Sequence, residues 1–130
     1  EIKIRVGAAM TEIDDPPDSF VIRGPHQMTA LPIEIPVTHQ EIAHSLDKSI
    51  SKIETAIMSV LEEIPPELYT DIYNHGIYLA GGGALLRGLS QRLSQKTNVP
   101  VIVADDPMHA VARGTGVALK NVEKFQFLLK

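Results

Sequence analysis

The sequence predicts an α/β fold, and three stretches carry that prediction. Ile77–Ala80 is a short apolar run followed at once by Gly81, Gly82 and Gly83, with a leucine-rich helical pattern opening at Ala84. Val99–Ala104 is a second apolar run after that helix. Together they read as a βαβ unit, which calls for a parallel pair with a right-handed crossover. Thr38–Ile64 is the third stretch, one long amphipathic helix.

In chain order, Glu1–Met10 alternates Ile2, Ile4 and Val6 with Glu1, Lys3 and Arg5, a period-two pattern that by itself predicts a strand. Asp14, Asp15, Pro16, Pro17 and Asp18 make Met10–Ser19 a loop. Phe20–Ile22 is a short strand ended by Gly24 and Pro25. A second strand follows, with Leu31, Ile33, Ile35 and Val37 on one face and Pro32, Glu34 and Pro36 on the other. Two prolines remove ladder donors, so this strand belongs at an edge, in a hairpin turning at Gly24–Gln27.

Thr38 and Glu41 form a capping box at the start of the long helix. Ile42, Leu46, Ile50, Ile53, Ile57, Val60, Leu61 and Ile64 recur at three- and four-residue steps as its apolar stripe, and Pro65 and Pro66 stop it. Glu67–His75 is a short second helix with Leu68 and Ile72 inward. In the βαβ helix Leu85, Leu86, Leu89 and Leu93 face in, whereas Arg87, Gln91, Arg92 and Gln95 face out. Asp106 is a natural N-cap with Pro107 at the first helical position, so a last helix runs from Pro107 to about Asn121. Val111, Ala112, Ala118, Leu119 and Val122 form its inner face. Gly114 and Gly116 within it point to close packing against another backbone.

Composition narrows the function classes. A chain of 130 residues suffices for one domain with a core. The net charge of −4 and the lack of any longer basic cluster argue against nucleic-acid binding. With no cysteine, disulfides and thiolate metal sites are excluded, and a reducing compartment is consistent. No apolar run reaches the roughly 20 residues of a membrane span. The chain starts at Glu1 inside a patterned stretch, without an initiator methionine, which reads as a fragment of something longer.

The glycine triplet is the principal candidate site. Lacking Cβ atoms, it lets the chain take positive φ and lets a ligand approach the backbone, as beside a phosphate or sugar. It is not a Walker A loop, because no Gly-Lys-Ser/Thr follows, and Leu86 stands where the dinucleotide fingerprint needs its third glycine. From the residues alone, a ligand-contacting turn and a tight structural turn fit equally. Asp105 and Asp106 fit helix capping better than metal binding. His26, His39, His44, His75 and His109 have no ligand spacing and read as surface residues. Ser90 and Ser94 lack a neighbouring base, so nucleophilic catalysis is not indicated.

Gly76–Leu89 (Gly-Ile-Tyr-Leu-Ala-Gly-Gly-Gly-Ala-Leu-Leu-Arg-Gly-Leu) and Val99–Leu119 resemble the MreB family of bacterial actin homologues, the rod-shape-determining proteins. The resemblance continues through Pro65–Leu68 and Glu1–Gly7 and is weakest over Ala8–Pro36. It implies part of an actin-like, ribonuclease H-like ATPase fold shared with Hsp70 and sugar kinases. Residues 1–37 would be a remnant of subdomain IIB and 38–130 most of subdomain IIA. It makes Glu1 to about Ala9 the end of a helix, which overrides the alternation. By the same resemblance Gly81, Gly82, Gly83, Ala84 and Leu85 form one wall of a nucleotide pocket, and Glu1, Ile2 and Lys3 the tail of another.

The phosphate loops and the acids that position magnesium and water belong to an N-terminal portion that this sequence lacks. The resemblance therefore implies a parent that binds Mg-ATP and forms filaments, and a chain that has no catalytic or metal-binding residue of its own. Implied partners are further copies of itself and membrane-bound cell-elongation proteins, in the cytoplasm at the inner face of the membrane, with apolar patches bare where an absent lobe would pack. Two rivals stand beside it. One is a sugar or acetate kinase of the same superfamily, and the other an interaction module in which the glycines only make a turn.

Overall fold

A computed structural model of the chain describes residues 1–125; the last five residues of the predicted 38–130 unit lie outside them. The elements are α1 (Ile2–Val6), β1 (Phe20–Pro25), β2 (Pro32–Val37), α2 (His39–Glu63), α3 (Pro66–His75), β3 (Ile77–Leu79), α4 (Leu89–Thr97), β4 (Val101–Val103) and α5 (Ala110–Lys120). A 3₁₀ turn, Gly82–Leu85, lies between β3 and α4.

The first segment is helical, against its alternation. The alternating isoleucines never share a buried face, since Ile4 is 76% exposed. The apolar contact falls instead on the consecutive run Val6, Ala8 and Ala9, all fully buried. Beyond α1 the chain pairs alongside the segment before α4, through a parallel bridge between Ala8 and Arg87 and an Ala9 N–H donated to the Arg87 carbonyl at 2.8 Å.

β1 and β2 form the expected antiparallel hairpin, in register from Phe20 opposite Val37 to Pro25 opposite Pro32. The first strand runs on past Ile22 through Gly24 and Pro25, because both pair across with β2. The turn is therefore His26–Leu31 and not Gly24–Gln27, and its left-handed residue is Ala30 (φ 55°). His26 N–H donates to the Leu31 carbonyl and Ala30 N–H to the His26 carbonyl, each at 2.8 Å.

α2 begins with the capping box as the sequence predicts. Glu41 N–H donates to Thr38 Oγ1 at 3.3 Å, and Thr38 N–H donates to the Glu41 carboxylate at 2.8 Å. The Thr38 backbone N–H, and after it the Thr38 hydroxyl, hold the Glu41 carboxyl below its ordinary range. A lowered folded-state value stabilises the fold above the unfolded value, and that contribution is lost as pH falls through the folded value. Acid melting curves of the wild type and Glu41→Gln should therefore converge as the pH drops below the usual glutamate range. A gap of constant size at every pH would mean that the carboxylate charge has no part in the cap.

The predicted stripe on α2 splits in two. His39, Ala43, Ile50, Glu54 and Leu61 are buried, whereas Ile53 and Val60 are 48% and 59% exposed. Ile53, Ile57, Val60, Ile64, Ile72 and Ile77 border an open apolar groove of about 370 Å³. His39 is not a surface residue: it is 6% exposed, with Nε2 lying 3.1 Å from the Thr11 carbonyl. In α3, Ile72 is half-buried but Leu68 is 53% exposed.

β3 and β4 pair in parallel, Ile77–Leu79 opposite Val101–Val103, with Ile77 N–H donating to the Pro100 carbonyl and Ala104 N–H to the Leu79 carbonyl. The helix between them starts later than predicted. Gly88 is left-handed (φ 75°) and interrupts any helix opened at Ala84, so α4 begins at Leu89 and Leu85 is 57% exposed instead of inward. Leu93 and Val99 are fully buried and anchor the unit, and Asn98 closes α4 in the left-handed conformation.

α5 also starts late. Asp106 is left-handed (φ 45°) and caps nothing; its carboxylate meets His109 Nδ1 at 2.9 Å, and His109 is the residue before the helix. The face predicted to be inward is open, with Val111 70% and Leu119 65% exposed. A Cβ at Gly114 or Gly116 would meet nothing within 4 Å, so no backbone packs there among the described residues.

Candidate functional site

Three of the predicted site residues meet at one place. Lys3, Gly82 and Leu85 border a cavity of about 510 Å³ together with Leu86, Arg87 and Met108. One wall is α1 and the opposite wall is the turn after β3. Two leucines and a methionine give it apolar sides, and Lys3 and Arg87 supply positive charge. Glu1, Ile2, Gly81, Gly83 and Ala84 do not border it. Glu1 lies instead near Arg5, at 4.0 Å on the exposed side of α1.

The glycines differ in what the fold demands of them. Gly81 has φ 82°, and its N–H donates to the Pro107 carbonyl at 2.6 Å, tying the turn to the segment leading into α5. Local geometry needs glycine there. Gly82 and Gly83 have ordinary φ, and a Cβ on either would meet nothing within 4 Å. Among the described residues their N–H groups have no acceptor, whereas Ala84 N–H donates to the Gly81 carbonyl at 3.1 Å. Ala84 itself is buried at 5% exposure and is a core residue.

Across the cavity α1 is fixed by close contacts. Arg87 Nη1 donates to the carbonyls of Ile4 and Arg5 at 3.2 and 3.1 Å, the last turn of α1. Gly7 ends the helix, and a Cβ there would fall 2.1 Å from the Lys3 carbonyl, so only glycine lets the chain leave α1 at this angle.

Arg92 is the residue that sequence reasoning missed most clearly. It was expected to face out, yet its side chain is only 18% exposed. Nε donates to Glu54 Oε1 at 2.5 Å and Nη1 to the Ala9 carbonyl at 3.0 Å, and Nη2 contacts Asp47 Oδ1 at 2.8 Å. The Glu54 hydrogen bond, against the opposing effect of burial, pushes the guanidinium above its ordinary value. Arg92 thus joins α4, α2 and the end of the α1 segment. The one available signal was Glu54, a charge inside the apolar stripe of α2 that needs a buried partner. Among the described residues no group of three His, Asp or Glu side chains could hold a metal ion.

The geometry is that of known proteins. A family model described as MreB/Mbl protein matches residues 1–127. The cell shape-determining protein Mbl of Bacillus subtilis is 43% identical over 124 residues, which is 95% of this chain and 37% of that relative. The cell shape-determining protein MreB of Escherichia coli K12 is 38% identical over 122 residues, covering 94% of this chain and 35% of its own length. The crystal structure of MreB5 of Spiroplasma citri bound to ADP superimposes with a TM-score of 0.83 at 31% identity, over 95% of this chain and 37% of the other. The chain thus spans little more than a third of the relatives it matches, and over that span it is part of an actin-like fold and belongs to the MreB/Mbl family.

Proposed function

We propose that this chain supplies one side of an ATP site in a longer, filament-forming protein that governs cell shape. The observation that carries this is the pair Gly82 and Gly83. Neither has a positive φ or a neighbour that excludes a side chain, yet both are glycine; both have an N–H without an acceptor among the described residues, and Gly82 borders the cavity shared with Lys3. A ligand lying against the backbone is the physical reason for glycine at such positions. The apolar walls of Leu85, Leu86 and Met108 suit a flat base, and the Lys3 ammonium suits ribose oxygens or phosphate. Solved MreB5 structures bound to ADP and to AMPPNP support the choice of an adenine nucleotide.

On this reading residues 1–37 belong to subdomain IIB and 38–130 to subdomain IIA, with Lys3 facing Gly82 and Leu85 across the adenosine. Mg²⁺ and the γ-phosphate are held by parts of the family's length outside this chain. Hydrolysis belongs to the assembled protein. The exposed apolar surfaces of α2 and α5 serve contacts with the rest of the protein and with further copies in a filament. That filament works at the inner face of the cell membrane with membrane-bound elongation proteins.

The test is a titration with Mg-ATP and Mg-GTP of this chain alone, and of this chain mixed with the remaining length of the family's fold. The expected outcome is saturable binding only in the mixture, with ATP preferred. Absence of binding in both would leave the glycine turn as architecture and sink the proposal.

A further inference from the structure

We infer that Arg87 is a positioning residue for this cavity, acting on the nucleotide through α1; the inference rests on the ATP reading above. α1 has only five residues and no side-chain cap at its start, and Val6 is its only buried residue. A helix this short does not hold itself together in water. Its place is set from outside, by the Arg87 guanidinium donating to the Ile4 and Arg5 carbonyls and by the backbone pairing of Ala8 and Ala9 with Arg87. Carbonyls in the last turn of a helix lack intrahelical partners, so a cation there satisfies both hydrogen-bonding and charge.

The same arginine borders the cavity beside Lys3 and also a second cavity of about 480 Å³ lined by Arg5, Asp18 and Phe20. It therefore stands between the nucleotide wall and the base of the β1–β2 hairpin. One side chain sets the distance of Lys3 from Gly82 and Leu85, the quantity on which a two-walled grip depends.

The experiment uses the complex from the titration above, with Arg87→Met, Arg87→Lys, Lys3→Met and the double variant Lys3→Met/Arg87→Met. Arg87→Met should weaken Mg-ATP binding about tenfold, the size of one charge-assisted hydrogen bond. Arg87→Lys should recover part of the loss. In the Lys3→Met background Arg87→Met should add little, because its effect passes through Lys3. Unchanged affinity in Arg87→Met, or a full tenfold loss persisting without Lys3, would overturn the inference. If the wild-type complex binds no nucleotide, the ATP reading fails separately. Hydrogen exchange of the α1 amides then decides: faster exchange in Arg87→Met supports the positioning role, and unchanged exchange ends it.

Discussion

Arg92→Met will be the most destabilising single substitution of a charged residue in this chain, lowering the unfolding free energy by about 3 kcal/mol in urea titrations. The reason is what it leaves behind. Glu54 is 8% exposed, and its only ion-pair partner among the described residues is Arg92. Removing the guanidinium strands a buried carboxylate and unties the Ala9 carbonyl. Only the Glu54 side of the cluster is expected to matter, because Asp47 is 60% exposed and screened by water. The double variant Glu54→Leu/Arg92→Met should recover more than half of the loss, since neither charge is then buried alone. A single-variant loss below about 1 kcal/mol would place the pair with ordinary surface bridges.

The second large effect is a contrast between two glycines six residues apart. Gly76→Ala should cost roughly 3 kcal/mol. Its φ is 79°, and a Cβ would stand 2.6 Å from the Pro100 carbonyl, the acceptor of the Ile77 N–H. That carbonyl cannot yield without breaking the first link between β3 and β4. Gly82→Val should leave the unfolding free energy of the chain unchanged to within about 0.5 kcal/mol, because nothing occupies the space and φ is not positive. In the assembled protein the same change should lower ATP affinity at least about tenfold, since two methyl groups then stand where the ligand meets the backbone. Equal affinity for Gly82→Val and wild type would remove the main support for the nucleotide reading.

The contrast also shows where sequence reasoning succeeded. Thr38 and Glu41 announced the start of α2, and the apolar runs Ile77–Ala80 and Val99–Ala104 announced the parallel pair, because caps and short apolar runs are local signals. Gly88 and Asp106 were misjudged because a left-handed residue can look like a helix residue or a cap until its neighbours are known. α1 was legible only through family resemblance, since burial of Val6, Ala8 and Ala9 depends on contacts with a segment some 80 positions away. Leu119 and Val111 follow helical spacing correctly, yet the described residues bring nothing to cover them. Arg92 is illegible for the opposite reason: a charge on a polar helix face looks solvated, and its buried partner Glu54 lies on another helix, 38 positions away.

The hairpin turn has a further consequence for how copies of this chain can meet. Because His26 and Leu31 form a hydrogen-bonded pair, the alternate pairs down to Phe20 and Val37 are hydrogen-bonded too. Val21, Arg23 and Pro25 on β1, and Pro32, Glu34 and Pro36 on β2, then point their backbone outward. On the β2 side Glu34 alone offers an N–H, and it carries a carboxylate. An incoming strand finds no ladder there, so the β2 edge is protected against the edge-to-edge growth that leads to amyloid-like stacking. These prolines close disordered strand-to-strand association along the β2 edge at the backbone.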